Sequence, residues 1–323
     1  MQLSAESGRS EDVAPASVHE DACFQLKAGR SGVLLKLCRN NPRRACLVGG
    51  SGGSKRPRGC CQPGGVVGEA SRDVAASVLC GLLEVSTRPF QGVELRHAEL
   101  TATHLAPEPK DACRQLGEKN EGSITLSDVF YLNKYAGLHT LDLECNCLGD
   151  DGITRLCLWC LPQLRFLKCL FVASNGFGVP GLRAIVSYLE GDVAAMRAPT
   201  SFAPVSVSIT PKPQPLEAVG LTNNPFYSNN DEDEDEDATV LLGRLLKACG
   251  LSLRRLHLNH VGMSASAAAT MMQLCFAGGT GRAEGFLHPQ LVIYLKQNGI
   301  CKERLSSTLR DLGVGAAAGN FVV

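Results

Sequence analysis

The sequence predicts an α/β repeat solenoid, with short parallel strands on one side and a helix after each strand on the other. Three observations carry that expectation. One hydrophobic spacing, L-x-x-L-x-L-x-x-N-x-L, recurs along the chain. Its x-L-x-L-x centre alternates with period two, as a half-buried strand does. After each copy, apolar residues recur at three- and four-residue steps, as on one face of a helix.

The clearest unit is Leu138, Leu141, Leu143, Asn146 and Leu148, with every position filled. A second follows at Leu167, Leu170, Val172, Asn175 and Phe177, its asparagine 29 residues on (175 − 146). Three more align as Leu216, Val219, Leu221, Asn224, Phe226; then Leu253, Leu256, Leu258, Val261, Met263; then Gln290, Ile293, Leu295, Asn298, Ile300. A weaker copy precedes them at Phe90, Val93, Leu95, Ala98 and Leu100. A faint one around Leu35, Leu37 and Asn40 is set aside. From Asn224 to Val261 and from Val261 to Asn298 is 37 residues each, while Ala98 to Asn146 is 48 and Asn175 to Asn224 is 49. The longer gaps read as one unit plus an insertion, which a solenoid places in loops.

Each slot has a physical reason. The leucines point into the core and the alternate residues point out. An asparagine side chain both donates and accepts, so at the turn after a strand it can satisfy backbone groups that burial would orphan. Val261 and Ala98 cannot, so those two turns should be looser or differently bonded. Helices are expected after Leu148, with Asp150 or Asp151 as N-cap, and across Pro180–Leu189. Others are expected from Val240 to about Gly250 and around Met271, Met272 and Leu274. Leu305, Leu309 and Leu312 mark the last, and residues 70–84 suggest one before the Phe90 copy.

The five copies from Leu138 to Leu312, with Gly152 and Gly181 each six residues past the asparagine, resemble the ribonuclease-inhibitor-like class of leucine-rich repeats. The resemblance covers roughly the last two thirds of the chain. It implies a partial horseshoe with a parallel concave sheet and convex helices. It carries little about function, because the fold hosts many binding roles.

Composition bounds the rest. Aromatics make up 5% of 323 residues, so the core must be aliphatic. Zero formal net charge argues against a chain built to hold nucleic acid. No window approaches the ~20 apolar residues of a membrane span. The first 13 residues lack a signal pattern, so the 15 cysteines read as mostly reduced thiols. The expected location is cytoplasmic, with nuclear or cytoskeletal sites as alternatives. Residues 1–68 are expected to be disordered, 69–137 to form an amino-terminal cap and degenerate repeat, 138–312 to hold the repeats, and 313–323 to be a tail. Loop insertions fall near 192–214, rich in proline, and near 228–237, where Asp231–Asp237 are seven consecutive acids. That run reads as a solvated loop, or as a docking site for a basic segment. Lys55-Arg56-Pro57-Arg58 reads as a linker or a nuclear address, and the glycine-rich stretch before it lacks the ending of a phosphate-binding loop.

Candidate chemistry is thin. Cys145, Cys147, Cys157 and Cys160 have zinc-like spacings, but a helix and a core turn would have to bring four thiolates together. The histidines form no metal or metalloprotease array, and no nucleophile, base and orienter converge. No catalytic residue, cofactor, metal or small-molecule substrate is therefore assigned. The register instead predicts a partner-binding concave face. It would present Glu94, Arg96, His97, Asp142 and Glu144, then Lys168 and Phe171, then Glu217, Thr222 and Asn223. Arg254, Arg255, His257, Asn259, His260, Tyr294, Lys296 and Gln297 would complete it. Acids gather toward the amino end of this face and bases toward the carboxyl end. Phe171, Arg255 and Tyr294 are the expected anchors, because aromatics and arginine dominate interface hot spots. The expected function is a non-catalytic scaffold that binds a protein partner. The alternatives are a small-GTPase regulator similar to Ran GTPase-activating proteins, which also carry an acidic tract, and a structural part of a cytoskeletal or ciliary complex.

Overall fold

The computed structural model describes residues 22–29, 32–39, 74–85, 89–106, 124–192, 213–227, 232–276 and 288–323. They form one nine-stranded sheet whose spatial order follows the chain. Its strands are β1 (Ala22–Gly29), β2 (Gly32–Arg39), β3 (Gly92–Glu94), β4 (Thr140–Asp142), β5 (Cys169–Phe171), β6 (Ala218–Gly220), β7 (Arg255–His257), β8 (Val292–Tyr294) and β9 (Phe321–Val322). β1 and β2 pair antiparallel, and β2 to β9 run parallel. Helices fill the intervals: α1 (Val74–Glu84), α2 (Ala102–Leu105), α3 (Leu126–Phe130), α4 (Gly149–Arg155), α5 (Val179–Glu190), α6 (Glu232–Cys249), α7 (Ala265–Phe276) and α8 (Lys302–Asp311). A π-helical turn, Leu156–Cys160, continues α4.

The register places one residue of each repeat in a single inward row: Leu35, Val93, Leu141, Leu170, Val219, Leu256, Ile293 and Phe321. All are buried against the helices. The leucine spacing anticipates this row from β3 to β8; residues 313–323 were expected to be a tail, but Phe321 and Val322 pair with β8 and close the edge of the sheet.

Three further expectations are corrected. Disorder was expected through residue 68, yet residues 22–29 and 32–39 form a hairpin that opens the sheet. The faint Leu35 copy is a true strand: Leu35 sits beside Val93, and Leu35 and Leu37 are both core residues. The antiparallel β1 is no part of a repeat, and the helix that follows β2 among the described residues, α1, begins only at Val74, far beyond the spacing of the other copies. The basic cluster at 55–58 and most of the proline-rich insertion lie outside the described residues. The acidic run was expected to be a loop, yet from Glu232 it is the first part of α6. Carboxylates at a helix amino end meet the positive end of the helix dipole, which offsets their mutual repulsion. Asp237 also pairs with Arg183 of α5 at 2.7 Å.

The turn after each strand is built alike. The residue just before each asparagine slot is left-handed: His97, Cys145, Ser174, Asn223, His260 and Gln297 have φ from +54° to +63°. Each such non-glycine residue costs about 1 kcal/mol or more. In return, the interstrand ladder continues through the turn, with Cys145 N donating to Ala173 O, Ser174 N to Thr222 O and Asn223 N to Asn259 O.

The asparagines then tie neighbouring units together. Asn146 Oδ1 accepts from Ala98 N and Leu100 N, and its Nδ2 donates to Leu95 O and Leu143 O. Asn224 Oδ1 accepts from Asn175 N and Gly176 N. Asn298 Oδ1 accepts from Val261 N and Gly262 N. The turn at Val261 is differently bonded, as expected. An asparagine there would face residues 224 and 225, but residue 225 is proline and has no N–H to offer. Instead Tyr227 N donates to Val261 O at 3.3 Å.

Asp150 does not cap its own helix, where Leu148 holds the N-cap position. It caps the next one. Its Oδ1 accepts from Gly178 N and Gly181 N, the N-cap and third-residue amides of α5, at 2.9 and 2.8 Å. This explains the glycine six residues past the asparagine: a Cβ on Gly181 would lie 2.8 Å from Phe177 Cδ2 and 2.9 Å from Asp150 Oδ1. Asp150→Ala is expected to cost about 1 kcal/mol, the usual worth of an N-cap side chain. Thermal melts of the two proteins check this, and an unchanged midpoint would remove Asp150 from that role.

Candidate interaction face of the sheet

The sheet face turned away from the helices is set by the same register. One outward row reads Lys36, Glu94, Asp142, Phe171, Gly220, His257, Tyr294 and Val322. A second reads Leu34, Gly92, Thr140, Cys169, Ala218, Arg255 and Val292. Of the predicted face residues, Glu94, Asp142, Phe171, Arg255, His257 and Tyr294 fall in these two rows, and they are not equivalent.

At the amino end, charge is consumed internally. Lys36 pairs with Glu94 at 2.8 Å. The Arg96 guanidinium bridges Asp142 and Glu144. Asp142 was expected as an exposed docking carboxylate, but it is only 2% exposed. Its Oδ2 accepts from Arg96 Nε and its Oδ1 from Glu144 N. Burial raises the Asp142 carboxyl above its ordinary range, and the Glu144 amide and Arg96 pull it back only in part. Burial and the neighbouring Asp142 likewise raise Glu144. Asp142 is thus a structural anchor for Arg96, and the acidic half of the face is weaker than a count of side chains suggests.

In the middle, Lys168 and Glu217 pair with each other at 2.9 Å. Ser174, Asn223 and His260 form a side-chain chain along the rim. Asn223 Nδ2 donates to Ser174 Oγ at 2.9 Å, and Asn223 Oδ1 lies 2.8 Å from His260 Nδ1. These bonds stiffen neighbouring turns.

Toward the carboxyl end lies an aromatic strip. Phe171 lies over Gly220 of the next strand, where a Cβ would come within 2.5 Å of its ring. Only glycine leaves room for it. The ring thereby reaches His257, edge to face, with centroids 6.2 Å apart. His257 stacks on Tyr294 with centroids 4.5 Å apart. All three are half-buried, while Arg254, Arg255 and Lys296 beside them are exposed. None of those three cations has an ion-pair partner among the described residues.

Burial, and secondarily the Arg255 charge, push the His257 imidazole below its usual range, so it is neutral at pH 7. The unfolded chain would protonate this residue first. Its contribution to stability is therefore present above pH ~6.5 and lost as the pH falls through its folded value. In an NMR titration His257 is expected to titrate below pH ~6.5, and Arg255→Ala should shift it upward. A value at or above that of a free imidazole would contradict the packing described.

Cys145, Cys147, Cys157 and Cys160 do not form a metal-binding group. Cys157 and Cys160 are fully buried on the π turn, and burial pushes both thiols far up. Cys147 is exposed on the turn after β4. Among the described residues no group of three or more His, Cys, Asp or Glu could hold a metal ion. None of their helices is long and apolar enough to cross a membrane.

Comparison with known families bears on the unit that supplies Asp142 and Glu144. Residues 138–157 match the Leucine Rich repeat family. That unit is a leucine-rich repeat. The match runs from the first leucine of the repeat to Cys157 on the helical turn, spanning β4, the Asn146 turn and α4. No curated protein matches the chain. The other leucine-rich units are identified by register, because each supplies one inward residue, one left-handed turn and one following helix. Sequence reasoning missed the Phe171–Gly220 contact. Its signal, a glycine at an outward strand position, becomes legible only once the two strands, 49 residues apart in sequence, are known to be neighbours (220 − 171).

Proposed function

We propose that this chain is a non-catalytic scaffold of the ribonuclease-inhibitor-like leucine-rich-repeat kind, working in the cytoplasm. It binds a protein partner across the concave face of a partial horseshoe. The observation that carries the reading is the strip of Phe171, His257 and Tyr294 with unpaired Arg254, Arg255 and Lys296 beside it. Aromatic and arginine side chains are the residue types that dominate interface energetics. The rest of the face, with Asp142, Glu144 and Lys168 already paired, supplies shape and a polar rim.

The test is affinity capture with tagged full-length protein beside a Phe171→Ala/Tyr294→Ala variant whose folding is verified by circular dichroism. Recovery of a specific partner should fall at least about tenfold, the effect of losing ~1.4 kcal/mol of binding. A partner retained equally by both proteins would move binding off this face.

A further inference from the structure

The outer face says more about its partner than that it is a protein. This inference rests on the binding reading above and narrows it. The strip spans β5 to β8, three strand spacings or about 14 Å. Within that span the only carboxylate on the face among the described residues is Glu217, which Lys168 holds and which also feels the Arg254 charge. Arg254, Arg255 and Lys296 remain exposed and unpaired among the described residues. The ledge beside them is apolar and fixed in place. Phe171 cannot leave Gly220 without exposing the strand beneath it, and His257 is clamped between Phe171 and Tyr294. A neutral His257 adds ring surface without adding charge.

Beyond β5 the face changes sign. Glu94, Asp142 and Glu144 outnumber Lys36 and Arg96 around β3 and β4. Lys36 and Arg96 are already held by these carboxylates, so among the described residues the open positive patch ends at β5 and offers a long polyanion no further partner. A short acidic segment would need none. An extended chain covers about 14 Å in roughly four residues.

We propose that the bound segment is a short acidic stretch of about four residues, carrying one aliphatic or aromatic side chain. That side chain lies on the Phe171–His257–Tyr294 strip while its carboxylates face Arg254, Arg255 and Lys296. Opposite charge across such a face selects the partner and speeds its encounter.

The experiment is a selection of a random twelve-residue peptide library, displayed on phage, against the full-length protein. It is followed by fluorescence anisotropy with the best synthetic peptide. Enriched peptides should carry clustered Asp and Glu flanking one Leu, Ile, Phe or Trp. Their affinity should drop at least tenfold with Arg255→Glu/Lys296→Glu, at least tenfold with Phe171→Ala/Tyr294→Ala, and on raising salt. Circular dichroism and melting temperature confirm that both variants fold. Neutral or basic winners that are lost with Phe171→Ala/Tyr294→Ala but not with the charge reversal would overturn the acidic assignment and leave face binding intact. Winners indifferent to both variants, or no enrichment over bare matrix, would overturn both. A labelled fifteen-residue uridine RNA is run in parallel and should not bind. Binding that the charge reversal abolishes would give the patch to nucleic acid and overturn the proposal.

Discussion

Asn146→Ala is expected to lower the unfolding free energy by on the order of 4 kcal/mol. The side chain is 5% exposed and makes five bonds across two units. Alanine leaves the amides of Ala98 and Leu100 without the acceptor they share. Each orphaned buried group costs about 1–3 kcal/mol. The carbonyls suffer less, since Leu143 O also accepts from Asn175 Nδ2. Asn298→Ala provides the contrast. It breaks similar bonds at the half-exposed carboxyl end, where water can replace them. Its cost should be nearer 1 kcal/mol. Urea unfolding separates the two, and equal losses would defeat the argument from burial. Because each unit contacts only its neighbours, Asn146→Ala should also reduce the m-value if the amino-terminal units open first.

Phe177→Ala should be nearly as severe, at about 4 kcal/mol. Phe177 is fully buried, with its ring centroid 5.4 Å from that of Phe226 in the next unit and its edge against Gly181. Alanine removes the ring from a slot whose backbone is pinned by the Asp150 cap, so the cavity has little freedom to collapse. Phe177→Leu keeps most of the volume and should cost less than about 1.5 kcal/mol. A Phe177→Ala protein that melts within a few degrees of the parent would show that the slot relaxes after all.

Much of this was legible in the residues. The leucine rows from β3 to β8 follow from a period-two pattern that only one register satisfies, because a slip by one residue turns every leucine to solvent. The outward residues follow from the same register, which is why Phe171, His257 and Tyr294 could be placed together before their contacts were known. Three features were not legible, each for its own reason. The β2 copy is separated from its helix, which among the described residues starts at Val74, by more chain than any other unit, so the two halves do not read as one repeat. The acidic run reads as repulsion until Glu232–Asp237 are seen at the amino end of an eighteen-residue helix. The burial of Asp142 depends on Arg96, 46 residues away in the chain (142 − 96), and no local pattern announces that partner.

The valine at the fifth asparagine slot carries a consequence for how such chains vary. An asparagine at 261 would find only one amide to serve, because residue 225 is proline. Val261 and Pro225, 36 positions apart (261 − 225), therefore behave as one two-letter choice. Restoring asparagine alone would bury an amide oxygen with half its work missing. Replacing the proline alone would add an exposed N–H that Val261 has no side-chain acceptor to take. Within its own unit Val261 is only a departure from the pattern; across the junction it faces the one neighbouring turn whose second position, Pro225, has no N–H.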